Sequence, residues 1–346
     1  MISRAFCRVA ISLACALLTL QCAWPRQSPA PSPNIRIDVD RVNVGVLVTD
    51  QDGRFLTGLQ RENFRIFDDG VEQQVSDFIS MDEPAQVLLL IEAGPAVYML
   101  RGGHLQVVNS LLEGLAPNDR VAIARYNETA EPLLNFSTDK EAAFEALDEL
   151  QFNLGFGQLN LASSLWTALD WLAKVPGKKS IVLLSTGVDT SPPAGIQKIL
   201  TRLQSTDVRV LAVSLGRELR VPVPAEKKHS KGVQAATDRA TAVNDTLAQA
   251  DEELKAIAEA NGSRVYFPSN EKDYSSVFAQ IAELVRHEYS LAFIPPARDG
   301  KLHTIKVQII WPAPGKSVGQ VVAATPLPGY HVDHRQAYIA PSPGQP

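Results

Sequence analysis

Cysteine is nearly absent from this 346-residue chain, and its three copies, Cys7, Cys15 and Cys22, all sit at the extreme N-terminus. No disulfide framework is available to the rest, so a packed core must supply the stability. Positive charge is not in excess either: 33 Lys and Arg against 38 Asp and Glu give a net charge of -5. That balance, with no basic stripe interleaved with aromatics, argues against nucleic acid as a partner, and none is expected. Neither H-E-x-x-H nor G-x-G-x-x-G occurs, which removes the common zinc-protease and dinucleotide signatures. What remains is an ordinary globular balance, 45% hydrophobic and 21% charged, long enough for a medium α/β domain with an appendage.

The first thirty residues stand apart. Arg4 and Arg8 form a positive region, Ala10 to Leu20 an apolar run, and Pro25 to Pro33 a polar, proline-rich stretch. That order predicts a secretory signal peptide cut after Ala23 or Ala30; the run is short for a mature membrane span. A retained anchor, or lipidation at Cys22, is the alternative. Cleavage after Ala23 would remove two arginines and leave a mature charge of -7. The mature chain is expected to be exported without an integral membrane span.

From Ile35 to Ser80 the pattern is β. Ile35, Ile37 and Val39 alternate in one phase, and Val42, Val44, Val46 and Val48 in the other; the change predicts a bulge or a crossing between sheets. Asp52-Gly53 and Asp69-Gly70 mark hairpin turns, the second joining Phe64–Phe67 to the Val71–Ile79 run. Then come runs apolar on both faces: Val87–Ile91, Val121–Ala124, Ile181–Leu184, Val208–Val213 and a short one at Val265–Phe267. Helical patterns separate them, at Val97–Leu115, Lys140–Leu150, Leu161–Ala173 and Ile196–Leu203, with Leu254–Ala260 and Ser275–Val285 closing the series. Such alternation predicts a doubly wound parallel sheet covered on both faces. The polar stretch from Leu215 to Ala250, with Glu226-Lys227-Lys228, reads as a solvated loop entering a helix near Val233. After His287 the pattern returns to β at Tyr289–Ile294, Thr304–Trp311, Val318–Ala323 and Tyr330–Ile339.

Several segments together resemble the von Willebrand factor A-related proteins of the acidobacterial type. They are Gly53–Leu59 with Asn63-Phe64, Pro117–Ala122, Lys179–Ser185, Tyr289–Pro296 and Gln336–Pro341. The resemblance spans the chain from Ile35 onward. It implies an A-type domain, and many of these hold Mg²⁺ through Asp-x-Ser-x-Ser after the first parallel strand, a Thr opening a later helix and an Asp after the fourth strand. Those positions fall here on Glu92, Gly94, Ala96, Leu159 and Thr186. Gly94, Ala96 and Leu159 carry no side-chain oxygen, whereas Mg²⁺ demands hard oxygen ligands in octahedral array. The site reads as degenerate, so no metal or other cofactor is expected. Ser163 and Asp189 lie nearby in sequence but do not restore the serine pair.

Other constellations are weaker. Gly315-Lys316-Ser317 resembles the end of a phosphate loop, but Ile310 stands where that motif needs glycine. His331 and His334, three apart on a strand, point to opposite faces. Tyr126, Trp166 and Trp171 read as core or rim aromatics.

The expected architecture is a leader over residues 1–30, a β segment over 31–83, an A-type domain over 84–287, a second β segment over 288–340 and a tail over 341–346. Each β segment is too small to bury a core alone, which predicts that the two pair as one β-sandwich flanking the α/β domain. Ligands of doubly wound sheets gather at the carboxyl edge, where this chain offers Glu92, Pro95, Gln158, Asn160, Thr186 and Asp189 as partner-binding candidates. The expected function is a metal-independent, non-enzymatic protein-interaction module. The alternative is a divalent-cation-dependent binder using Glu92 with backbone and water ligands.

Overall fold

The computed structural model describes residues 41–100, 108–153, 158–190, 192–223, 231–310 and 329–342. The leader, Ile35–Val39, Glu226–Lys228, Gly315–Ser317 and Val318–Ala323 lie outside them. The alternating valines form β1 (Val42–Asp50), and the Asp52-Gly53 turn folds the chain back so that Phe55 bridges to Thr49. Then β2 (Phe64–Asp68) and β3 (Val71–Gln73) make a hairpin. Its turn holds Asp69 at φ 46° and Gly70 at φ 82°, the left-handed pair that an Asp-Gly turn tolerates. Val71–Ile79 is not one strand: β4 (Asp77–Ile79) belongs to a different sheet from β3. Buried Val75 lies at that crossing.

Next, β5 (Ala85–Glu92) is buried at every position. It leads into α1 (Pro95–Met99) and then α2 (Val108–Gly114), followed by β6 (Arg120–Tyr126) and β7 (Ala130–Ser137). Three helices and two strands continue the series: α3 (Lys140–Asp148), α4 (Leu161–Leu172), β8 (Lys178–Ser185), α5 (Pro193–Ser205) and β9 (Arg209–Ser214). The polar stretch enters α6 (Lys231–Glu259), which at 29 residues also absorbs the Leu254–Ala260 pattern. Finally come β10 (Val265–Tyr266) and α7 (Glu271–His287).

These strands form a six-stranded sheet in the order β10-β9-β8-β5-β6-β7. Every pairing is parallel except that of β7, which runs antiparallel to β6 at the edge. Periodicity did not announce β7, because Pro132 interrupts it; a proline is tolerated on an edge strand. The continuous apolar runs follow from two-sided burial. Val87, Leu89 and Ile91 pack under α1, α2, α3 and α7, while Leu88 and Leu90 pack under α4, α5 and α6. Among the described residues no helix is long and apolar enough to cross a membrane.

The C-terminal strands are β11 (Tyr289–Phe293), β12 (Leu302–Ile309), β13 (Tyr330–His334) and β14 (Ala337–Ile339). Tyr330–Ile339 is thus two strands, and they join different sheets. One sheet runs β13-β1-β11-β4 and the other β14-β12-β2-β3. Both mix strands from the two ends of the chain: Val42 faces Phe293 across β1 and β11, and Phe64 faces Ile309 across β2 and β12. Val44, Val46, Ile66, Leu291 and Val307 fill the space between the sheets. This is the β-sandwich that the two undersized segments required. Leu47, on the opposite face of β1, packs instead into the α/β core.

Candidate functional site

Strand order reverses around β5, with β8 on one side and β6 on the other. Such a switch point opens a crevice at the carboxyl ends of the strands, where ligands of open α/β sheets bind. The side chains that finish those three strands are Glu92, Ser185 and Tyr126, and all are buried.

They form one closed network. Glu92 Oε2 accepts from the Thr186 amide at 2.7 Å, the Ser185 hydroxyl at 3.0 Å and the Tyr126 hydroxyl at 3.2 Å. Thr186 Oγ1 lies 3.0 Å from Oε1 and 2.9 Å from Oε2. Tyr126 and Ser185 share a further hydroxyl contact of 2.6 Å, and Ser185 Oγ accepts the Gly187 amide. Burial drives the Glu92 carboxyl above its ordinary range, opposed by the donors from Thr186, Ser185 and Tyr126. Burial and the adjacent Glu92 also hold the Tyr126 hydroxyl well above the usual tyrosine range.

Leu159 and Glu92 both border the space beside Gly94. A Cβ added to Gly94 would lie 3.1 Å from Leu159 Cδ2 and 3.4 Å from Cδ1, with Glu92 Oε1 at 3.5 Å. The Leu159 backbone is pinned by Thr190, whose hydroxyl approaches its amide at 2.9 Å and whose amide donates to its carbonyl at 2.8 Å. Glu92, Gly94, Leu159 and Thr186 therefore meet at one point, while Ala96 follows on the first turn of α1. The oxygen donors among these five side chains are the Glu92 carboxylate and the Thr186 hydroxyl, and they are bonded to each other. Octahedral Mg²⁺ needs six oxygens at about 2.1 Å, a set these side chains do not supply.

The outer face differs in part from the expected one. Glu92 and Thr186 are fully buried, so they lie beneath the surface: each satisfies the other's polar atoms. Pro95 and Gln158 are exposed, and Asn160 and Asp189 are partly so. Asn160 and Asp189 also have structural duties at the start of α4. Asn160 Oδ1 accepts the Ser163 amide and Asp189 Oδ2 the Ala162 amide, satisfying two donors that a helix start leaves open.

Sequence reasoning missed Ser185 and placed Tyr126 merely in the core or rim. The available signal was position: each ends a strand flanking the switch point. It also missed a neighbouring set at the end of β9, where Ser214 Oγ donates to Asp251 at 2.6 Å and Arg220 binds the other oxygen at 2.7 Å. Trp166 is exposed with the Arg202 guanidinium 4.2 Å over its ring, and Trp171 meets the edge of Phe136. His334 is held within the sandwich, its Nε2 accepting the Val307 amide. Gly315-Lys316-Ser317-Val318-Gly319 has the G-x-S-x-G spacing of a hydrolase elbow, a motif that needs a strand entering a helix. It lies outside the described residues, and the described elements on either side, β12 and β13, are sandwich strands.

Two mycobacterial relatives, each called UPF0353 protein, are 23% identical over 205 residues: one from Mycolicibacterium paratuberculosis (strain ATCC BAA-968 / K-10) and one from Mycobacterium marinum (strain ATCC BAA-535 / M). In each case the match covers 53% of this chain and 53% of the relative, so the chain spans about half the length of these proteins. Among solved structures, a von Willebrand factor type A protein from Catenulispora acidiphila is similar with a TM-score of 0.44 and 12% identity, over 89% of this chain and 76% of that one. An aerotolerance-related membrane protein from Bacteroides fragilis NCTC 9343 is similar with a TM-score of 0.43 and 14% identity, over 58% of this chain and 98% of that one. The profile of the von Willebrand factor type A domain matches residues 104–280. That match takes in more than half of the chain, and the protein belongs to the von Willebrand factor type A domain family.

Proposed function

We propose that the protein is an exported, non-enzymatic interaction module whose A-type domain binds a protein partner without a metal at its carboxyl edge. One observation carries this reading: the Glu92 carboxylate, which would have to face a cation, already receives the Thr186, Ser185 and Tyr126 donors. Leu159 places an apolar side chain beside Gly94, at a position where the family's metal site has a threonine. The leader pattern supports export. The hydroxyls and the carboxyl at this point are buried and bonded to one another, which supports a binding role, since a catalytic site must present its reacting groups. Pro95, Gln158, Asn160 and Asp189 then form the face offered to the partner, with Glu92 and Thr186 as its rigid floor.

The alternative, a cation-dependent binder built on Glu92, makes an opposite prediction at specific atoms. Millimolar Mg²⁺ or Mn²⁺ should leave the amide resonances of Thr186 and Gly187 unmoved. A photo-crosslinker placed at Gln158 should capture its partner equally well with and without EDTA. Loss of capture in EDTA, or metal-dependent shifts confined to those amides, would favour the alternative.

A further inference from the structure

We propose that Asp68, Asp69 and His303 form a divalent transition-metal site, best suited to Zn²⁺, at the rim of the β-sandwich. The backbone creates the juxtaposition. Asp68 ends β2, Asp69 sits in the β2–β3 turn, and His303 lies on β12, which pairs antiparallel with β2. One ligand atom from each of the three lies within 4.8 Å of the others. His303 Nδ1 is 2.9 Å from Asp69 Oδ2 and 3.5 Å from Asp68 Oδ1. Two donors on one zinc, each about 2.0–2.2 Å from the ion, stand roughly 3–3.5 Å apart.

The hydrogen bonds point to a ligand more strongly than the clustering does. Asp68 is only 3% exposed, and its Oδ1 and His303 Nδ1 meet each other and Asp69 through ion-pair contacts alone, with no aligned hydrogen bond among the described residues. Both atoms face the gap between the three side chains. The remaining atoms of the same groups are all anchored. Tyr338 donates to Asp68 Oδ2 at 3.2 Å, and Asp69 Oδ1 accepts both the amide and the hydroxyl of Thr304 at 2.8 Å. His303 Nε2 lies 3.1 Å from Asp299 Oδ1. An ionised carboxylate only accepts, so Nε2 carries a hydrogen toward Asp299, and Nδ1 meets two carboxylate oxygens across a gap that a proton or a metal ion can fill. A metal ion there would take the place of the Nδ1 proton and keep the same three side chains together. An imidazole fixed by an outer carboxylate is the usual setting of a metal-bound histidine.

One imidazole and two carboxylates favour a borderline ion over Mg²⁺ or Ca²⁺, which prefer all-oxygen shells. Asp69 is half exposed, leaving the remaining coordination positions to water. The bound ion would clamp residues from opposite ends of the chain, Asp68 and Asp69 to His303, across the seam of the sandwich.

The experiment uses the full chain, stripped with EDTA and dialysed, then titrated with Zn²⁺ by calorimetry and thermal unfolding. One equivalent should bind and raise the Tm, and Co²⁺ should give visible ligand-field bands. Asp69→Asn and His303→Gln should each abolish both signals, while Asp299→Asn should weaken binding by about 10–100-fold. Asp69→Asn keeps the oxygen that accepts from Thr304, so it separates loss of a ligand from loss of the turn. No Zn²⁺ uptake by the native chain would overturn the proposal, as would uptake unchanged in both ligand variants. A His303 ring found doubly protonated at neutral pH in the presence of Zn²⁺ would also overturn it, since a proton would then occupy the gap.

Discussion

Thr186 holds Glu92 at both carboxylate oxygens, with its hydroxyl 3.0 Å from Oε1 and its amide 2.7 Å from Oε2. The contact joins the carboxyl ends of β5 and β8, adjacent strands at the switch point. No donor in it reaches solvent, because Glu92, Thr186, Ser185 and Tyr126 are all buried. A buried polar group left without its partner costs about 1–3 kcal/mol, so the network is stable only as a complete set. Thr186→Val should therefore destabilise the fold by about 1–3 kcal/mol, read as a lower urea midpoint at unchanged m.

The same burial makes Glu92 a source of pH dependence. Desolvation holds its folded-state pKa above the ordinary value, so the fold binds that proton more tightly than the unfolded chain does. The stability linked to the proton is fully present in acid, below the unfolded carboxyl's range, and is lost as pH rises through the folded value. Glu92→Gln cannot titrate. Urea unfolding of the two proteins from mildly acid to mildly alkaline pH should show the variant gaining on the native chain as pH rises. Parallel curves would show that Glu92 titrates alike in both states.

Leu159 and Gly94 should be energetically coupled. A serine at 94 brings its Cβ to 3.1 Å from Leu159 Cδ2, tight enough that the leucine must shift, at a cost of about 1 kcal/mol or more. In a Leu159→Thr background most of that cost should vanish, a coupling of roughly 0.5–1 kcal/mol in a double-mutant cycle. The full set, Glu92→Asp, Gly94→Ser, Ala96→Ser, Leu159→Thr and Thr186→Asp, should then create Mg²⁺ binding. A Mg²⁺-dependent rise in Tm, absent from the native chain, would show it; no rise would mean that the five positions do not converge as aligned.

How much of this was legible depends on the range of the signal. The runs Val87–Ile91 and Ile181–Leu184 disclosed a sheet buried on both faces, because each residue's environment follows from its own strand. The sandwich was legible by elimination, since neither β segment could bury a core alone. The crossings near Val75 and Arg335 were not, because the residues on both sides are strand-like and only the partner sheet changes. The site was half legible: missing oxygens at Gly94, Ala96 and Leu159 are visible in sequence, but the burial of Thr186 is not. His303 gave no signal, since its relation to Asp68 exists only once β12 pairs with β2.

Gly45 is a case where tertiary contact alone explains the residue. It sits between Val44 and Val46, on the face of β1 opposite the alternating valines, and a Cβ there would fall 1.7 Å from Glu288 Oε1 and 3.1 Å from an Arg209 nitrogen. Arg209 and Glu288 form a buried ion pair at 2.7 Å between β9 and the end of α7. Gly45→Ala should expel the glutamate and strand the arginine, and breaking a buried pair costs about 3–5 kcal/mol. Chemical denaturation should show a loss of that order, and Gly45→Ala combined with Glu288→Ala and Arg209→Met should recover part of it.

Arg335 supplies the last test, because it ties the sandwich to the α/β domain through backbone carbonyls alone. Its Nη1 donates to Thr206 at 2.9 Å and to Gln204 at 3.3 Å, at the end of α5, and its Nη2 donates to the carbonyl of Asn43 in β1. Burial lowers its pKa to about 10, which leaves the side chain charged at neutral pH. A cation at a helix C-terminus is favourable in itself, but the planar fork is what reaches both elements at once. Lysine keeps the charge on a single nitrogen and cannot span α5 and β1 together. Arg335→Lys should therefore cost about 1.5–3 kcal/mol, the worth of a charged hydrogen bond, with no change in that cost across neutral pH. Hydrogen exchange should localise the loss, with faster exchange in β13 and β14 while β5 and β8 stay protected. A uniform loss across all strands would mean that the arginine serves the whole core and not the junction.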